Sequence, residues 1–423
     1  MYLTDRSAPA GADTEQGRRR GPASKVAPVV LVLGTVSLVT DISSEMVTAV
    51  LPLYFVTTLG FSPLGFGALD GVYNGVSALV QLTGGHLADR VRNHKLIAGL
   101  GYGLSALCKP LLLLVSSVGA LGTVLALERT GKGLRTAPRD AMISLSTPPA
   151  RQGRAFGVHR AMDTTGAMLG PLAAFFILRA ATDGYDAVFG VSACVAVLGV
   201  LVLVLFVPGK RQGAPTDEAA AADDRQPVRI REALALLRLP RLRALAGCAA
   251  LLGLTTVSDA FVYLLLQRRA GIGEQWFTLL PLGTALVFLL LAVPVGALAD
   301  RVGRRAVFLT GHAALLTGYA LLLWAPATPV LPFVVLALHG TFYAATDGVL
   351  PAALADVVPA QLRASGLAIV GTSQALARFC CSLAFGAAWT VWGDGPALAG
   401  SAAGLLCCAI VAGMVLRPTG GTR

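Results

Sequence analysis

Charged side chains recur inside stretches that are otherwise apolar: Asp41 and Glu45, Asp70, Lys109, Arg129, Arg160 and Asp163, Asp259, Asp347 and Arg378. In hydrocarbon each costs about 2.5–3.5 kcal/mol on insertion scales, so such residues pair, line a wet cavity and carry function by default. The chemistry open to them is proton binding. A carboxyl is neutral when desolvated or beside a like charge, and ionised beside an arginine. One whose access and arginine contact change with conformation takes a proton on one side and gives it up on the other. Asp41 and Glu45 are four apart and share a helix face. At 1.5 Å per residue Asp41 lies about 20 Å into its helix and Arg129 about 15 Å into its own, so these acids are expected to pair with Arg129. Arg160 and Asp163, three apart beside His159, form an intrahelical pair. Asp259 repeats the depth of Asp41 in the second half. With Asp70 and Arg378, these residues form the candidate set for proton coupling and for lining a substrate cavity. His339 is a secondary proton-site candidate, and Lys109, just before Pro110, reads as a structural charge that snorkels outward.

The elements that must position them are membrane spans. The 423-residue chain is 55% hydrophobic and 13% charged, with a mean hydropathy of +0.70. Soluble domains carry about 25% charged residues, and a disordered chain needs low hydrophobicity with high charge. Spans of about 20 apolar residues fall at 28–57, 64–88, 95–117, 119–138, 154–178, 186–207, 242–267, 275–299, 305–325, 329–355, 364–391 and 395–416. The expected fold is all-α, with twelve transmembrane helices in two six-helix bundles, 28–207 and 242–417. A polar 208–241 linker joins them, and 1–27 and 418–423 are tails. Lys and Arg concentrate on alternate loops, which puts both termini and the linker in the cytoplasm of a cell (plasma or inner) membrane. The second half of the linker reads as a surface amphipathic helix.

Several function classes fall away. The net charge of +11 is dispersed over short loops, not gathered on a nucleic-acid-binding face. The seven cysteines sit inside apolar runs without metal-clip spacing and read as packing. GKG at 131–133 follows no strand, so it is no phosphate loop. No nucleophile has a partnered base and no His/Asp cluster suits a metal, so an enzyme is not expected, nor a metal or other cofactor. Trp276, Trp324, Trp389 and Trp392 fall near span ends, as interfacial residues do.

The two halves repeat. GHLADRV at 85–91 returns as GALADRV at 296–302, each after the second span of its half, and RAFG at 154–157 returns as RASG at 363–366. Parallel six-helix repeats are the build of the major facilitator transporters, and the chain resembles that superfamily throughout after the tail. The superfamily's loop motif is complete at Gly296, Leu298, Asp300, Arg301, Gly303, Arg304 and Arg305. In the first copy Gly85, Asp89 and Arg90 match, but Arg92, Asn93 and His94 depart. The resemblance implies that Asp89 and Asp300 hold a cytoplasmic gate shut. Arg129 and Gly133 match the helix-4 signature. Gly166, Gly170 and Pro171 match part of the helix-5 pattern of proton-coupled exporters, with Ala173 and Ala174 replacing its last glycines.

DISSEM at 41–46, GKGLRTAPRDA at 131–141 and FGVHRAMDTTGAMLGP at 156–171 resemble a bacterial and archaeal branch without an agreed substrate. The expected function is therefore secondary transport of a small molecule by alternating access, as a monomer in the bilayer. Proton-coupled export of a drug-like or amphipathic compound is favoured. Proton-coupled uptake of a small polar or anionic solute is the alternative within transport, and a membrane-embedded enzyme or receptor is a remote one.

Overall fold

The computed structural model describes residues 27–91, 93–148, 152–208, 238–347 and 363–416. Every regular element among them is a helix. The first half comprises α1 (Pro28–Leu53, extended by a π-turn over Tyr54–Thr58), α2 (Pro63–Val91), α3 (His94–Leu111), α4 (Val118–Leu145), α5 (Gln152–Ala180) and α6 (Gly184–Phe206). The second comprises α7 (Pro240–Gly253), α8 (Asp259–Ala270), the single turn α9 (Glu274–Phe277), α10 (Leu280–Val302), α11 (Arg304–Trp324), α12 (Leu331–Thr346), α13 (Arg363–Trp392) and α14 (Asp394–Val415). Among the described residues, seven stretches are long and apolar enough to cross a membrane by length and composition. Of the others, α4 carries the charge that makes it interesting, α7 and α8 are short because their span is broken, and α12 is apolar over the 16 residues described.

The seventh expected span, 242–267, is not continuous. It divides into α7 and α8 at Leu254–Ser258, where Thr255 and Thr256 turn their hydroxyls back onto the Leu252 carbonyl at 3.1 and 2.8 Å. Such back-bonds compete with the helical ladder. The Val257 N–H freed by the break is taken up by the Tyr319 hydroxyl at 2.8 Å. Asp259 thus opens α8, where an acid complements the helix dipole. The fourth span is also longer than the expected 119–138: α4 runs on to Leu145. Of the expected 329–355, helix is described over Leu331–Thr346; residues 348–355, like the tails and 209–237 of the linker, lie outside the described residues.

Small residues let the helices approach. A Cβ on Gly166 would stand 2.4 Å from the Leu38 carbonyl oxygen, and one on Gly170 2.8 Å from the Glu45 Cβ, so the helix-5 glycines seat α5 on α1. Ser43 and Ser192 tie α1 to α6 by exchanging hydroxyl-to-carbonyl bonds of 2.8 and 2.9 Å. Between the halves, α2 and α13 meet toward the end away from the chain termini. There a Cβ on Gly67 would stand 2.4 Å from the Ser382 carbonyl oxygen, and one on Gly386 2.4 Å from that of Pro63. The Leu64 N–H donates to Thr390 Oγ1 at 3.0 Å. Phe261 of α8 wedges against Phe66, Phe385 and Trp389 at centroid distances of 4.7, 4.8 and 5.7 Å. Trp389 is therefore buried in this cluster and not at the expected interfacial position, whereas Trp276, Trp324 and Trp392 are exposed.

Overpacking a tight contact costs about 1–3 kcal/mol. Gly166→Ala is expected to lower the melting temperature in detergent by several degrees. Gly190→Ala, on α6 with open space around it, should leave it unchanged or slightly raised, as alanine is the better helix former.

Candidate functional site

The acids of α1 meet the cations of α4 as a ladder. The two helices run antiparallel, so residues spaced by four on α1 face residues spaced by three or four on α4. Glu45 pairs with Lys132 at 3.5 Å and Asp41 with Arg135 at 3.3 Å. At the next rung Arg139 donates to Ser37 Oγ at 3.3 Å. Asp163 of α5 enters from the side, 3.6 Å from Arg139 and 3.7 Å from Arg160, with its carboxyl facing that of Asp41. His159 Nε2 lies 3.0 Å from the same Ser37 hydroxyl.

This corrects the expected partner of the α1 acids. Arg129 stands one turn farther along α4 than the Lys132 rung. Its Nε donates to the adjacent Glu128 at 2.5 Å, and its guanidinium lies 3.7 Å above the Tyr73 ring. Lys109 does not snorkel. It is 2% exposed and reaches Glu128 at 3.3 Å, making a Lys109–Glu128–Arg129 triad in the interior.

A second group belongs to the other half. Asp259 accepts from Tyr343 at 2.6 Å and meets His339 Nε2 at 3.0 Å, and Arg378 lies beside Tyr343, Asp259 and Asp347. Between the halves is a cavity of about 390 Å³, within the range of about 300–1,000 Å³ for small-molecule sites. Of the expected site residues, Glu45, Asp70, Asp259 and Arg378 line it. Asp41 and Asp163 stand behind its wall in the α1–α4–α5 network, and Arg129 stands in the interior triad. Arg160, with its side chain 78% exposed, does not line the cavity. Pro171 lines it beside α1.

Sequence reading missed Lys132, Arg135 and Arg139, because a span ended at 138 assigns that charge to the membrane edge, and it missed Glu128, whose partner Lys109 comes from another helix. The signal was present: 129, 132, 135 and 139 fall on one helical stripe. Tyr73 and Tyr343 carried no charge to draw attention.

The repeated loops are built differently. In the second, Gly303 turns α10 into α11 with φ +103°, Arg301 is exposed, and Arg305 donates to the Gly413 carbonyl of α14. In the first, Asn93 caps α3 by accepting from the Leu96 N–H at 3.1 Å, a side-chain solution to the same turn. Gly85 lies within α2; the side chains of Asp89, Arg90 and Asp300 lie outside the described residues. Among the described residues no group of three or more His, Cys, Asp or Glu is arranged to hold a metal.

Two helical halves around a cavity walled by apolar and aromatic side chains with a few carboxyls are the outline of a transporter. The sequence profile of the Major Facilitator Superfamily matches residues 33–380, and again 277–422. An uncharacterised MFS-type transporter of Methanocaldococcus jannaschii is 30% identical over 395 residues, 92% of this chain and 94% of its own. The chain belongs to the Major Facilitator Superfamily. It is accordingly a multi-pass membrane protein of a family that transports solutes. Solved structures agree on the MFS fold: a nucleoside transporter superposes with a TM-score of 0.75 at 14% identity, covering 92% of this chain and all of that one. A D-xylose–proton symporter reaches 0.69 at 16%, covering 91% and 94%.

The interior triad of this MFS protein carries two cations and one anion, which fixes the sign of its mutants. Glu128→Gln removes the anion between two interior cations and is expected to cost about 3–5 kcal/mol. Lys109→Met removes the surplus charge and should be tolerated, and combined with Glu128→Gln it should recover part of the loss. Thermal melts of the three variants in detergent check the order.

Proposed function

We propose that the protein exports a drug-like or amphipathic compound in exchange for protons, by alternating access of the central cavity to the two membrane faces. The observation that carries the reading is the arrangement of that cavity. It lies between the halves, is walled by aromatic and apolar side chains with a few carboxyls, and is closed at one end by the α2–α13 seam and the Phe261 cluster. The α1–α4–α5 network supports proton coupling. Asp41 and Asp163 face one another between Arg135 and Arg139, and Glu45 reaches from the same helix face into the cavity. A rocking of one half displaces α4 and α5 against α1, changes which cation opposes which acid, and so changes proton affinity. In this reading the protein is a monomer of the cell membrane with both termini cytoplasmic. Residues 28–207 and 242–417 form the two bundles, and Asp89 and Asp300 hold the cytoplasmic ends together when the cavity faces outward. Among the described residues, four carboxyls against one guanidinium on the cavity wall speak against an anionic solute.

The test uses proteoliposomes with the membrane potential clamped, and dyes of differing charge: ethidium, Nile red and bis-anilinonaphthalene sulfonate. An acidic interior should make the protein concentrate at least one dye above protein-free vesicles. Asp41→Asn with Glu45→Gln should abolish accumulation while sparing downhill exchange. Accumulation only with an acidic exterior contradicts exchange in favour of uptake. Undiminished accumulation by the double variant moves the coupling site away from α1.

A further inference from the structure

Asp70 is the one acid of the cavity wall that the ladder, the triad and the Asp259 group leave without a cation among the described residues. It lies about 10 Å along α2 from the closed end and is 9% exposed. Its carboxyl is held by neutral groups. Ser382 Oγ donates to Oδ2 at 2.6 Å from across the seam, and Asn74 Nδ2 donates to Oδ1 at 3.2 Å, with Ser258 at the head of α8 close by. The titratable groups around it are Asp259 from α8 and Cys381 from α13. Farther round the wall are Glu45 of α1 and Arg378 of α13, while Leu125 is what α4 presents to the cavity. Arg378, the only cation of that wall among the described residues, lies beside Asp259 and Asp347, and Glu45 already has Lys132.

A desolvated carboxylate with neutral partners is costly. It is relieved by a proton or by a cation that arrives with the substrate. Aromatic side chains line the same space: Phe66, Tyr263, Phe277 and Tyr73, whose ring already carries Arg129 on one face. Ring faces attract a cation, most strongly when it is desolvated. We propose that the cavity takes a monovalent organic cation with a flat or bulky apolar body, its charge opposed by Asp70 and its body held by these rings. Proton and substrate then compete for one carboxyl, so loading the cation expels the proton. The Asp70–Ser382 contact spans the two halves, so whichever of the two occupies Asp70 also bears on the seam. This rests on the exchange reading above and names its substrate class.

The probe is radiolabelled tetraphenylphosphonium, with tetraphenylborate as an anion of the same shape, binding to the full chain in nanodiscs against empty nanodiscs. Tetraphenylphosphonium should bind, more tightly as pH rises, and tetraphenylborate should fail to displace it. Asp70→Asn should weaken binding by about tenfold or more, the scale of one charged partner lost in a desolvated site, and flatten the pH dependence. Asp70→Glu should keep the preference for the cation, which separates loss of charge from loss of fold. Tetraphenylborate binding as tightly as tetraphenylphosphonium, absence of tetraphenylphosphonium binding, or Asp70→Asn binding as the native chain does would overturn the proposal. Failure here with gradient-driven dye accumulation intact removes only the cation assignment. Binding as proposed without such accumulation removes the exchange reading instead.

Discussion

A charge in the membrane interior must find an opposite charge or water, and the first half of this molecule is organised around that constraint. The rungs Glu45–Lys132 and Asp41–Arg135 join α1 to α4, and Arg139 draws in Asp163 from α5. Breaking one partner of such a pair costs far more than the pair contributes, so the network sets the register of these helices. The close α1–α5 packing through Gly166 and Gly170 then follows as the arrangement that brings Asp163 to the ladder. Glu45 is the point where the network reaches the cavity.

The second half solves the same problem differently. Asp259 sits at a helix start created by a break, with a histidine and a tyrosine as partners and Arg378 nearby. The first half therefore holds Asp41, Glu45 and Asp163 with cations of α4, whereas the direct partners of Asp259 in the second are a histidine and a tyrosine. This asymmetry parallels the two loops, where Asn93 caps one turn and Gly303 forms the other. Sequence repetition survives in the framework more than in the chemistry it carries.

Spans were legible because apolar runs of the right length leave few alternatives, and the internal repeat fixed their pairing into halves. The break at Leu254–Ser258 was not, since threonine and serine are common within spans and only the competing hydroxyl bonds turn them into a hinge. The acids of α1 were legible as costly residues, yet their partners were misassigned. Depth counted from assumed span ends brings Asp41 level with Arg129, but α4 stands about 9 Å out of that register, six residues at 1.5 Å each, and Arg135 is the residue opposite. Glu128 escaped notice for another reason: beside Arg129 in sequence, it becomes significant only when Lys109 arrives from α3.

The account makes proton binding and the relative tilt of the two halves one equilibrium. Pulsed electron–electron distances test this directly, with spin labels on a cysteine-free background. One pair stands at residues 183 and 273, beside the Tyr185–Glu274 bond that joins the halves at the closed end. The other stands at 96 and 302, exposed positions at the opposite end. As pH is stepped across the carboxylate-to-neutral range, the two distances should change reciprocally, one lengthening while the other shortens, and Asp41→Asn with Glu45→Gln should freeze both. Distances that stay fixed with pH, or that lengthen together, would contradict it.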